Sequence, residues 1–545
     1  MKNTLKYTFL SAMLVGFTAC DVDNSLPEIK DAENTIKLDA GSVDFSKYVA
    51  VGASFTAGFS DGALFKTGQQ YSFPNTLASK FKMVGGGDFV QPLMADNIGG
   101  MVTSAGAVAQ DQRFYFDAQT QKPKRLTDKP GTVVGTAATN APNFNNYGLP
   151  GAKSFHFVTP GYAALNPYFG RMAPTQSTVI AEAASKQPTF FSLSEIGGND
   201  VLGYAIAGGV GTNQTGNTNP ATYGPTDITD PGVFAQSFTA MVNALTAGGA
   251  KGVVGTVPYV NSLPYFTTVP HNPLDPRTNA ALQGQLASIN TVYGALNQIF
   301  SNPAINQPNR IIQFKADQAN PVVIKDESLV NLEGQITAAL NANPQFPAFV
   351  QQFGLPAAAA PLVATLLGRT YGQARPATAD DYIVLPSSGI IGTVNGASVQ
   401  ALMGQGLPQA VAGQFSAEGI TLPLEDKWVL TKSEVAELKT AVDAYNNTIT
   451  SVATAKGLAV VDLKAILQQA STTGLVFDEF NMSTRFVFGG LVSLDGVHLT
   501  ARGYALMANE MLKAIDKTYG SNFKDAKDGL AKAKNYPTNY SPTLK

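Results

Sequence analysis

Short, unbroken apolar runs alternate along this chain with stretches whose apolar residues recur at helical spacing. Tyr48-Val49-Ala50-Val51, closed by Gly52, reads as a strand buried on both faces. Residues 189–193 (TFFSL), 252–257 (GVVGTV) and 458–461 (LAVV) read the same way. Between them the spacing predicts helices over residues 73–81, 177–185 and 234–245, and a last one over 501–515. Thr431-Lys432-Ser433-Glu434 is a capping-box pattern. It opens an apolar stripe formed by Val435, Leu438, Val442, Tyr445, Ile449 and Val452, and Gly457 is placed to end that helix. Strand-then-helix alternation of this kind predicts a mostly parallel sheet covered by helices on both faces.

Two stretches break the rhythm. Residues 86–145 are rich in Gly, Thr and Asn, and residues 266–430 in Pro, Ala, Gln and Gly. The second contains apolar pieces such as Tyr382-Ile383-Val384-Leu385, so it is expected to fold rather than to act as a disordered linker. Both are read as insertions. The core domain then comprises residues 47–265 and 431–520, with a C-terminal tail over 521–545.

Composition narrows the function. Charged residues make up 14% of the 545, with a net charge of −2 and no basic cluster. That is no electrostatic footprint for nucleic acid. A single cysteine excludes an internal disulfide framework and a multi-cysteine zinc site. The three histidines, His156, His271 and His498, are too few for a multi-histidine metal centre. The N-terminus has Lys2 and Lys6 ahead of an apolar segment from Phe9 to Phe17, too short to be an ordinary spanning helix. Small residues then lead to Cys20. This resembles a bacterial lipoprotein signal (residues 1–19), with Cys20 as the lipidated first residue and residues 20–46 as a polar tether. The resemblance implies export and a membrane contact through the lipid, with the outer membrane as the expected location.

Four separated motifs carry candidate chemistry. Gly52-Ala53-Ser54-Phe55 puts a serine at the carboxyl end of the first strand, where open α/β sheets place their ligands. Asn146-Tyr147-Gly148-Leu149-Pro150-Gly151 looks like a turn able to present an unobstructed backbone N–H. Gly197-Gly198-Asn199-Asp200 follows the TFFSL strand, and the Asn199 amide is suited to donate to a developing oxyanion. Asp495-Gly496-Val497-His498 precedes the last helix. A carboxylate that accepts the histidine Nδ1 proton leaves Nε2 free to take a proton from a serine.

Together, and in this order, the motifs resemble those of the SGNH (GDSL-type) hydrolase family. The resemblance implies a three-layer α/β/α, flavodoxin-like fold and ester hydrolysis without a cofactor. Ser54 then matches the nucleophile, His498 the general base and acid, and Asp495 its orienting partner. The oxyanion hole would comprise the backbone N–H groups of Ser54 and Gly151 and the side chain of Asn199, with Gly148 as the alternative glycine. In place of the family's Gly-Asp-Ser-Leu this chain has Gly-Ala-Ser-Phe, so Ala53 stands where aspartate is usual. Lipid esters, acylated glycans and small soluble esters all fit as substrates. The alternative is a surface lipoprotein that binds ligands on the same scaffold with little catalysis, motivated by Ala53 and the large insertions. Trp428, His156 and His271 read as packing or structural residues, Asp200 as a turn brace, and Asp61 as a brace for the loop after Ser54.

Overall fold

Five strands form the centre: β1 (Tyr48–Gly52), β2 (Asn146–Gly148), β3 (Phe190–Ser194), β4 (Lys251–Gly255) and β5 (Ala459–Val461). The computed structural model describes residues 36–134, 144–174 and 176–545, of which 38–545 make one compact unit. The predicted signal, Cys20 and most of the tether therefore lie outside the described residues, as do residues 135–143 of the first insertion. All neighbouring strands run parallel, in the order β5-β4-β3-β1-β2. β1 and β3 are buried along their whole length, as continuous apolar runs in a parallel sheet must be.

One strand was hidden in what the sequence presents as a turn. Asn146-Tyr147-Gly148 pairs with Ala50-Val51-Gly52 as the edge strand β2, and only Leu149 to Gly151 turns. A three-residue strand containing Asn and Gly carries too little periodicity to announce itself.

The helices that matter for the site are α1 (Ser54–Ala57), α2 (Phe73–Lys82), α3 (Val179–Ser185), α4 (Asn199–Ile206), α5 (Pro231–Thr246), α6 (Lys432–Ala455), α7 (Leu463–Thr472) and α8 (Ala501–Tyr519). Tyr48 and Phe190 are register partners, so their rings leave the sheet on one side. There Phe81 of α2 meets them edge-on at 5.0 and 5.4 Å, and Tyr519 of α8 meets Phe190 at 6.3 Å. A second helical group includes α5 and α6, joined by Phe234 stacked on Tyr445 at 4.3 Å. The predicted capping box is present: the Thr431 N–H donates to Glu434 Oε2 at 2.6 Å.

The domain starts earlier than residue 47. Phe45 is 1% exposed and stacks on Phe81 at 4.0 Å, so the end of the predicted tether belongs to the core. The last residues are also held: the Arg113 guanidinium donates to the carbonyls of Ser541 and Leu544 at 2.7 and 2.8 Å. Between 101 and 125 the first insertion forms antiparallel hairpins, Met101–Val102 with Val108–Gln110 and Phe114–Asp117 with Lys122–Arg125. The second insertion has its own hydrophobic core, with Tyr293, Ile336 and Tyr371 fully buried. Val269 and Val429 lie in that second core, whereas Phe266 and Leu430 lie in the first. Trp428 packs between the two, a structural role as its sequence context suggests.

Candidate active site

Among the described residues, every sequence-predicted site residue stands at the carboxyl end of the sheet or in a loop packed there. Ser54 opens the single-turn helix α1 directly after β1 and is 7% exposed. Gly52 is required: a Cβ there would overlap Thr56 Oγ1 and the Ser194 carbonyl. Gly148 is required too, since its Cβ would run into the Ala57 amide. The β2 edge is tied to the Ser54 turn by Asn146, whose Nδ2 donates to the Thr56 carbonyl at 2.8 Å.

The two candidate glycines separate cleanly. The Gly148 N–H donates to Asn146 Oδ1 at 2.9 Å and is spent. Gly151 is exposed, has a φ of 79°, and its N–H meets no acceptor among the described residues. The Ser54 N–H is likewise without an acceptor there. Asn199, the first residue of α4, donates one Nδ2 hydrogen to the Ala152 carbonyl at 3.0 Å, which aims the amide at the Gly151 turn and leaves its second hydrogen uncommitted. Asp200 braces this arrangement across chain segments rather than within its own turn. Its buried carboxylate accepts from the Ser154 N–H at 2.9 Å and from the Ser154 hydroxyl at 2.7 Å.

His498 Nδ1 lies 2.8 Å from Asp495 Oδ2. The carboxylate is held by a ring of donors: the Gly62 N–H at 2.8 Å, the Val497 and His498 N–H groups each at 2.9 Å, and the Ser493 hydroxyl at 3.1 Å. Burial alone would raise the Asp495 pKa, but His498 and the backbone donors override it and hold the group well below the usual carboxylate range. An ionised Asp495 fixes the proton on Nδ1 and leaves Nε2 as the basic atom. Asp495 follows the last strand of the central sheet at a distance. Helix α7 and a hairpin, Leu475–Phe477 with Phe480–Met482, intervene after β5. The His498 ring packs against Phe55 and Phe59, with centroids 5.5 and 4.5 Å away, and so stands beside the Ser54 helix. Ser54 Oγ makes no hydrogen bond to His498 among the described residues. Such bonds are commonly long before substrate binds.

Two carboxylates support the site without having been singled out for that role by their sequence context. Glu195, at the end of β3 with a φ of 48°, accepts from the Thr56 N–H at 2.8 Å and from the Thr56 hydroxyl at 3.1 Å. It braces the serine turn from the neighbouring strand, where Ala53 has no carboxylate to offer. Burial pushes its pKa up to about 7 against the pull of the Thr56 hydrogen bonds. The only sequence signal is an acid placed directly after a buried apolar run. Asp61, expected to brace the loop after Ser54, instead reaches the histidine loop. It accepts from the Leu494 N–H at 3.0 Å, and its own N–H donates to Ser493 Oγ at 3.0 Å.

Two spaces meet here. An apolar pocket of about 110 Å³ is lined by Ser54, Gly198 and Asn199 together with aliphatic side chains. A wide cleft of about 1780 Å³, walled by both insertions, is lined by Asp495 and His498. Leu202 and Val497 border both. His156 is structural: its Nδ1 accepts from the Lys153 N–H at 3.0 Å, the ring stacks on Tyr162 at 4.3 Å, and burial, with Lys153 nearby, lowers its pKa to about 4. Among the described residues no group of three His, Cys, Asp or Glu side chains is placed to hold a metal ion. Comparison of the chain with protein-family models, curated proteins and solved structures finds no match.

Proposed function

We propose that the protein is a serine ester hydrolase of the SGNH type, built on a three-layer, flavodoxin-like scaffold and tethered to the outer membrane through a lipid on Cys20. The observation that carries this reading is the 2.8 Å contact between Asp495 and His498 Nδ1 on a loop packed beside the glycine-framed Ser54 turn. The strand order, 2-1-3-4-5 in chain numbering, supports the scaffold. Ser54 Oγ attacks the ester carbonyl while His498 Nε2 takes its proton. The oxyanion is received by the Ser54 and Gly151 N–H groups and the free hydrogen of Asn199. His498 then protonates the departing alcohol, and water repeats the sequence on the acyl-enzyme to release the acid.

The test is hydrolysis of p-nitrophenyl esters by the protein and by its Ser54→Ala and His498→Ala variants. Turnover by the parent and near-complete loss in both variants supports the reading. A folded parent with no turnover of any ester would favour the ligand-binding alternative. The lipid is tested separately by metabolic labelling with an alkyne fatty acid, which Cys20→Ala should abolish.

A further inference from the structure

The small pocket lined by Ser54 and the wide cleft lined by His498, which meet at Leu202 and Val497, differ so much in size and chemistry that they divide an ester between them. We infer that the apolar pocket takes a short, uncharged acyl chain and the wide cleft takes a large, hydroxyl-rich alcohol; this rests on the esterase reading above. The direction follows from the reaction. At the tetrahedral carbon on Ser54 Oγ, one substituent is the oxyanion, turned toward Gly151 and Asn199. The leaving oxygen must lie within reach of His498 Nε2, which protonates it. The alcohol therefore lies on the His498 side, and His498 with Asp495 lines the wide cleft. The remaining direction, for the acyl carbon chain, is the pocket lined by Ser54 and Asn199 themselves.

That pocket closes on Val257, Leu263, Leu467, Leu491 and Met507, from the loop after β4, α7, the histidine loop and α8. Its only titratable lining group is Glu195, which is engaged by Thr56. A charged acyl terminus would find no partner there. By comparison with an apolar cavity of ~150 Å³ that admits benzene, a pocket of this size suits a chain of about four to six carbons. The cleft, at about 1780 Å³, is far too large for a short alcohol. Its lining mixes hydroxyl and amide side chains such as Thr268, Asn279 and Ser471 and the cationic Lys122, Arg125 and Arg485 with the rings of Tyr265 and Phe488, a surface that offers a sugar or polyol both hydrogen-bond partners and stacking faces.

The experiment measures kcat/KM for p-nitrophenyl acetate, butyrate, hexanoate, octanoate and dodecanoate. The rate constant is expected to rise about fourfold per methylene from acetate and to peak at butyrate or hexanoate before falling. Leu467→Ala should move the optimum to longer chains and Leu467→Phe to shorter ones, so a folding failure of the larger variant leaves the smaller one to decide. With butyryl held constant, replacing a methyl alcohol by a glycosyl one should raise kcat/KM by about threefold or more. A profile flat or falling from acetate onwards, with Ser54-dependent hydrolysis intact, would overturn the pocket assignment and leave the esterase reading standing. A glycosyl ester cleaved no faster than the methyl ester would overturn the alcohol assignment. Absence of Ser54-dependent turnover for every ester would remove the reading beneath both.

Discussion

Glu195→Gln is the perturbation whose effect the structure fixes most closely. The carboxyl group is buried directly after β3, and desolvation raises its folded-state pKa from 4.5 to about 7. A carboxyl raised in the folded state adds stability that is complete below its unfolded pKa and is lost as pH rises through the folded one. Between pH 4.5 and about 7 this group should therefore withdraw about 3 kcal/mol of stability, at ~1.4 kcal/mol per pH unit of difference. Glutamine keeps an acceptor for the Thr56 N–H at 2.8 Å but cannot ionise, so its contribution is level across this range. Other buried acids, Asp61 among them, also make the parent's stability pH-dependent, but they are common to both proteins and cancel in the difference. Urea unfolding followed through Trp428, the single tryptophan, packed between the two cores, gives both curves. The variant should gain on the parent steadily from pH 5 to pH 8, by an amount on the order of 2–3 kcal/mol. Parallel curves over that interval would refute the argument, because they would mean that Glu195 is already ionised, or solvated, at acid pH.

Asp495→Asn should leave the fold intact but lower kcat by a factor on the order of 10⁴, since the amide stabilises the wrong histidine tautomer; steady-state kinetics with a p-nitrophenyl ester measure it. Asn199→Ala removes one oxyanion donor and should cost about 2.7–4 kcal/mol of barrier, seen as a 10²–10³-fold loss in kcat with KM little changed. Phe45→Ala deletes a ring that is 1% exposed and stacked on Phe81, and should destabilise the protein by about 3–5 kcal/mol in the same urea assay. A change below 1 kcal/mol would return residue 45 to the tether.

The strands legible in the sequence were those whose burial on both faces forces an unbroken apolar run, such as Tyr48 to Val51 and the TFFSL segment. Helix α6 was legible because its cap and stripe agree, Glu434 closing on Thr431 as the pattern requires. β2 was not, because an edge strand of three residues makes its case through pairing with β1 and not through its own side chains. The site divided in the same way. Asp495 and His498, three residues apart, could be matched locally, but the braces are long-range. Glu195 meets Thr56 across 139 residues, and Asp61 meets Leu494 across 433. Nor does any local pattern choose between Gly148 and Gly151. That choice rests on Asn146, which occupies the first N–H and leaves the second open.

The most direct test of the central claim is covalent labelling with a fluorophosphonate probe, followed by mass spectrometry of the digested protein. The account predicts a single adduct, on Ser54, that is absent from Ser54→Ala and strongly slowed in His498→Ala. A well-folded protein that takes no label, or takes it on another residue, would contradict it.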